Sequence, residues 1–144
     1  MQVTGEVVVN RDVAAVFNGF ADLERSGEYS APVIERRKLT DGPIGAGTQF
    51  HAVDQWPGRK VSFTVAITRF ELNRLIEAAW SEPMPGGWEA RFEQTESGTR
   101  LSFRASMKPS GVMGLVSPLM KPWAARQTRK FLANFKRWSE AGAG

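Results

Sequence analysis

The order of turn signals and apolar runs predicts an α+β fold: a curved seven-stranded antiparallel sheet wrapped around one long C-terminal helix, with two short helices after the first strand. Three observations carry that expectation. Between Gly45 and Lys108 apolar and polar residues alternate in runs broken by Gly, Pro or Asn, as strands do. From Val112 to Ser139 apolar residues recur at three- and four-residue steps, as on a helix. With 144 residues and 42% hydrophobic content there is material for one core, so residues 1–144 read as a single domain, ordered over about 3–139.

Val3, Val7, Val8 and Val9 are β-branched and open the first strand. Asn10 then stands as the N-cap of a short helix carrying Ala14, Val16, Phe17 and Phe20. Asp22-Leu23-Glu24 starts a second helical turn that ends at Gly27. Pro32 restarts an extended run, Val33 to Leu39, which closes at Asp41-Gly42-Pro43. Gly45-Ala46-Gly47 leads into Thr48 to Trp56, and Pro57-Gly58 turns into Arg59 to Phe70. Asn73 opens a strand to Ser81, Pro85-Gly86-Gly87 turns into Trp88 to Gln94, and Ser97-Gly98 turns into Thr99 to Lys108.

Strand alternation separates two faces, because successive side chains point to opposite sides. Val61, Phe63, Val65 and Ile67 share one face against Lys60, Ser62, Thr64 and Thr68. Ile76, Ala78 and Trp80 do the same, followed by Trp88, Ala90 and Phe92, and then by Leu101, Phe103, Ala105 and Met107. A sheet with one apolar face is covered on that side only. The cover is the final helix, whose Met113, Val116, Met120, Trp123, Phe131, Phe135 and Trp138 form its apolar side. Pro118 and Pro122 predict either a helix start near Ser117 or a kink there.

Composition excludes much chemistry. Without cysteine there are no disulfides, thiolate metal sites or cysteine nucleophiles, and the single histidine, His51, rules out a multi-histidine metal site. No phosphate loop, metal-ligand spacing or paired-carboxylate motif appears, so neither a metal nor a cofactor is expected. No run approaches the length of a transmembrane segment and the N-terminus lacks a charged-then-apolar leader, so the expected location is cytoplasmic. The net charge of +4 is uneven: residues 104–144 carry eight basic side chains and one acid, Glu140. Such a run is either the solvated face of a helix or a surface for an anionic partner.

The element order is that of a helix-grip fold, and the chain resembles the polyketide cyclase/dehydrase and lipid-transport group of the SRPBCC superfamily, relatives of START domains and the birch-pollen allergen. The resemblance spans about residues 3 to 139 and rests on four segments. These are Val9-Asn10-Arg11-Asp12-Val13-Ala14-Ala15-Val16-Phe17, Gly45-Ala46-Gly47-Thr48, Gly98-Thr99-Arg100-Leu101, and Gly111 with Ser117-Pro118-Leu119. Tyr29 stands where many members have Trp. All four segments report turns, strand pairing and bends, so they speak to fold rather than to reaction. The resemblance implies a hydrophobic cavity between sheet and helix that holds lipid-, polyketide- or aromatic-like molecules, in some members with cyclisation or dehydration.

On this register the inward set from the sheet comprises Phe50, Trp56, Phe63, Val65, Ile67, Ile76, Trp80, Trp88, Phe92, Phe103 and Met107. The helix contributes Met113, Met120, Trp123 and Phe131. These side chains either fill a core or line a ligand space. Among polar groups, Asp54 falls on the same face beside Trp56, as a general base, a ligand anchor or a solvated rim residue. Gln127 lies on the inner helix face, and Tyr29 is the only phenol. His51, Arg69 and Arg91 point outward by parity.

Three functions follow as expectations. The first is binding of a small hydrophobic or amphipathic ligand by a monomer or weak homodimer, with no specific nucleic acid. The second is a cyclase or dehydratase with Asp54 as base. The third docks the basic helix face, Arg126, Arg129, Lys130, Lys136 and Arg137, on an anionic membrane or nucleic acid.

Overall fold

The computed structural model describes residues 1–142, without the side chains of Met113 and Ser117. Seven strands form one antiparallel sheet: β1 (Gln2–Val9), β2 (Val33–Lys38), β3 (Gln49–Trp56), β4 (Arg59–Glu71), β5 (Leu75–Trp80), β6 (Gly86–Thr95) and β7 (Gly98–Met107). Their spatial order is β1-β7-β6-β5-β4-β3-β2, so the first two strands are the two edges. Between β1 and β2 the chain makes α1 (Val13–Ala21) and a 3₁₀ turn, Leu23–Glu28; after β7 it makes α2 (Val112–Glu140).

The first helix starts differently from the expectation. Asp12, not Asn10, precedes α1, and it makes no side-chain cap. The Gln94 side chain of β6 does that work, accepting a hydrogen bond from the Val13 amide at 2.9 Å. Asn10 is drawn elsewhere, its amide donating to Glu140 at the far end of the chain, 2.8 Å away. A cap supplied by a residue 81 positions away is invisible to a local reading.

Phe17 and Phe20 of α1 are fully buried and plug one end of the sheet. Phe17 meets Phe70 and Phe92 edge-on at 5.4 and 5.1 Å, and Phe20 meets Phe92, Phe135 and Trp88 at 5.5, 5.4 and 5.6 Å. Phe70 reaches this cluster because a bulge between Ile67 and Arg69 shifts the parity of β4 by one.

The helix α2 runs unbroken from Val112, with Pro118 and Pro122 inside it. The start near Ser117 is therefore corrected. Both prolines are exposed, so the turns that lack an amide donor face solvent. Further along, Leu132 and Phe135 are buried against the sheet. Gly5 of β1 makes this approach possible: a Cβ there would lie 2.7 Å from Leu132 Cδ1. The opposite sheet face is wet, as alternation requires, with Arg91 and Arg104 both paired to Glu89 and Arg69 to Glu71. His51 also lies there, 3.6 Å from Glu35.

Candidate functional site

Two adjoining lobes open between the sheet and the stretch of α2 from Met120 to Phe131. The inner lobe, about 310 Å³, lies under the 3₁₀ turn and is walled by Phe20, Leu23, Tyr29, Phe50, Phe103 and Phe131, with Ser26, Ser30, Gln127 and Thr128 as polar groups. The outer lobe, about 290 Å³, is walled by Trp56, Phe63, Trp80, Met84, Met120 and Trp123. Five residues line both: Arg36, Asp54, Val65, Trp88 and Met107. Either volume falls at the lower end of small-molecule pockets.

At the shared wall stands an ion pair. Arg36 Nη1 donates to Asp54 Oδ1 at 2.6 Å and Nη2 to Oδ2 at 3.3 Å, a bidentate arrangement in which the side chains are 16% and 15% exposed. Arg36 also donates from Nη1 to its neighbour's carbonyl, Glu35 O, at 3.0 Å, and its guanidinium lies over the Phe63 ring at 5.7 Å. Among the described residues its Nε–H and its second Nη2–H have no protein partner. Asp54 thus lies on the cavity face, as alternation places it, but its carboxylate is already engaged.

Sequence reasoning misses Arg36 for a definable reason. The register of β2 against β3 slips between Val33 and Glu35, leaving Ile34 as an extra residue, 49% exposed. The bulge reverses parity. Strict alternation from Val33 sends Arg36 outward; after the bulge it pairs with Ala52, on the inner face, with Asp54 diagonal to it. The exposure of that isoleucine shows only in the structure, and nothing in the sequence marks the slip.

Tyr29 is 5% exposed and packed among Phe131, Phe135 and Trp138 at 5.8, 5.0 and 4.9 Å. Burial pushes its phenol well above the ordinary tyrosine range, against a hydrogen bond with Ser26 that pulls the other way. It stays a neutral proton donor at the edge of the inner lobe. In the outer lobe the Trp80 indole lies close against β6, where a Cβ on Gly86 would come within 2.7 Å of its ring. The Trp80 Nε1 is buried without a partner.

The predicted set divides between these lobes and the solid core. Tyr29, Phe50, Phe103, Gln127 and Phe131 line the inner lobe; Trp56, Phe63, Trp80, Met120 and Trp123 line the outer. Asp54, Val65, Trp88 and Met107 belong to both. Ile67, Ile76 and Phe92, 1%, 0% and 5% exposed, line neither. These three belong to the buried core, where Phe92 meets Phe17 and Phe20 of α1 edge-on. The side chain of Met113 lies outside the described residues. Among the described residues no group of three or more His, Cys, Asp or Glu is arranged for a metal ion, and no helix is long and apolar enough to cross a membrane.

The family model for polyketide cyclase/dehydrase and lipid transport matches residues 1–140. No curated protein matches the sequence. Among solved structures, the protein TTHA0849 from Thermus thermophilus superposes with a TM-score of 0.83 at 17% identity, covering 100% of both chains. A START superfamily protein from Mycobacterium smegmatis gives a TM-score of 0.82 at 14% identity over 97% of each chain. The di-domain ARO/CYC StfQ from the steffimycin biosynthetic pathway gives 0.77 at 15% identity, covering 99% of this chain and 51% of that one. At these identities the likeness concerns the fold alone.

Proposed function

The chain belongs to the polyketide cyclase/dehydrase and lipid transport family, and from that premise we propose that it holds a small, largely apolar ligand carrying a neutral hydroxyl or carbonyl group. The observation that supports this reading is the closed Arg36–Asp54 pair at the wall common to both lobes. Aromatic and thioether walls offer apolar surface, and burial of ligand area there drives association at about 25 cal/mol per Å². The pair sets the polarity. Being bidentate and internally neutral, it offers two guanidinium N–H donors to a carbonyl and carboxylate lone pairs to a hydroxyl. An anionic headgroup at those two donors would lie beside the Asp54 carboxylate, whose like charge opposes it, and could take the paired face of Arg36 only by displacing Asp54.

Calorimetric titration with 2-naphthol and with 2-naphthoate tests this, since the two share a ring system and differ in charge. The neutral compound is expected to bind at least about tenfold more tightly. Tighter binding of the anion overturns the assignment. Ala105 lines the inner lobe, and Ala105→Trp should fill it and abolish binding while cooperative unfolding persists. Native mass spectrometry of the freshly purified protein would weigh any ligand that co-purifies.

A second reading, a cyclase or dehydratase on a polyketide-like substrate, is supported by one observation: a neutral phenol and a carboxylate, Tyr29 and Asp54, line the same lobe. Tyr29 would donate to a substrate carbonyl, and Asp54 would take a proton once released from Arg36. Turnover unchanged in Asp54→Asn would remove that role.

A further inference from the structure

The outward side of α2 is not uniformly polar. Val112, Leu115, Leu119 and Trp123 are 76%, 81%, 81% and 45% exposed. At 3.6 residues per turn these four positions fall within about 80° of the helix wheel, a single stripe about 16 Å long. One turn on, the same stripe changes character: Arg126 and Lys130 continue it and Arg129 flanks it, all exposed. No carboxylate pairs with these three cations among the described residues, and α2 holds no acid before Glu140. The stripe also touches the ligand space, because Trp123 belongs to both it and the outer lobe, beside Met120 and Pro109.

We propose that this face of α2 docks on the surface of an anionic phospholipid bilayer, with Val112, Leu115, Leu119 and Trp123 entering the acyl boundary and Arg126, Arg129 and Lys130 resting on the headgroups. The apolar half leaves three aliphatic side chains mostly in water and Trp123 about half so, which a helix lying in the interface would relieve. Charge complementarity selects the occupant. A second copy of the chain would present the same apolar and cationic stripe, with no acid on α2 to answer the three cations. An anionic bilayer supplies both an apolar interior and counter-charges. This goes beyond a basic face alone, since nucleic acid has no use for the leucines. The inference does not rest on what the cavity holds, though docking would bring the outer lobe to the membrane surface.

Flotation with phosphatidylcholine vesicles, with and without a quarter phosphatidylglycerol, tests it at low and physiological salt. The protein is expected to float with the mixed vesicles and to leave the neutral ones. Leu115→Ser with Leu119→Ser should weaken binding at least about tenfold, with an unchanged unfolding midpoint since both side chains are exposed. Arg126→Gln and Lys130→Gln should each cost about fivefold and flatten the salt dependence. Three results overturn the proposal: equal flotation with both vesicles, wild-type flotation of the double serine variant, or retention on duplex DNA without vesicle binding. Concentration-dependent dimerisation in sedimentation that the double serine variant abolishes would assign the face to a second copy and also overturn it.

Discussion

The two halves of α2 belong to one helix and live in different environments. The second half is tied down: Leu132 and Phe135 are buried, and Ser139 shows no exposure. Its end is clasped to the β1–α1 junction, where Arg11 donates to Ser139 O at 2.8 Å, Lys136 to Val8 O at 2.7 Å, and the Asn10 amide to Glu140 at 2.8 Å. Trp138 Nε1 donates to Glu28 at 3.1 Å, and Arg25 lies over the same indole at 5.1 Å. The first half has apolar side chains in solvent on one side and the outer lobe on the other, and the inner lobe follows against Gln127, Thr128 and Phe131, just ahead of the anchored end. Anchorage thus resides from Leu132 onward and ligand space along the stretch before it, from Met120 to Phe131. Substitutions in the first half can alter binding without unfolding the protein.

The comparison breaks most readily at Phe135. Truncation to Ala removes a ring that touches Phe20, Tyr29 and Trp138, and should cost about 3–5 kcal/mol in denaturant unfolding. Leu119→Ala, at 81% exposure, should stay within about 0.5 kcal/mol of the parent. Similar losses at the two sites would mean that the halves are equally anchored. Gly5→Ala comes next. Its new methyl would press on Leu132, itself 3% exposed, and should cost about 1–3 kcal/mol by forcing α2 away from β1. If calorimetric naphthol binding survives that shift, the lobes tolerate a displacement of the anchored end of α2.

Much of this architecture is legible in one sequence because alternation and helical periodicity are local consequences of burial on one side. Asp54 and Met107 are assigned to the inner face in that way. The rest depends on non-local facts. Arg36 turns inward through a one-residue bulge at Ile34, and no composition signal marks where a strand slips. The solid packing of Phe92 depends on which end of the sheet α1 plugs, whereas periodicity reports only the face. In the first half of α2, apolar residues occupy both the inner side and the outer stripe. A search for one apolar side accounts for Met120 and Trp123 but leaves Leu115 and Leu119 unexplained, since burial and exposure there share the same residue types.

The clasp at the end of α2 offers the smallest effect and a sign that can be worked out. A carboxylate at a helix C-terminus faces the negative end of the helix dipole, which by itself raises its proton affinity. Glu140 is nonetheless held below the usual carboxylate range, first by its hydrogen bond from Lys136 at 2.6 Å and then by the Asn10 amide. Because the folded value is the lower one, the unfolded chain takes up the proton more readily. The stabilisation is therefore complete above the unfolded value, about 4.3, and is lost as pH falls through the folded one. Glu28 and Glu89 are depressed too, so the acid limb of the wild type alone cannot isolate the clasp. The difference between the wild type and Glu140→Gln can. Both side chains of the Lys136 pair are partly exposed, so solvent screening limits it to about 0.5–1 kcal/mol at neutral pH. It should shrink toward zero in acid. A difference that stays constant down through the acid limb would show that the Glu140 clasp acts through shape and hydrogen bonding rather than through charge.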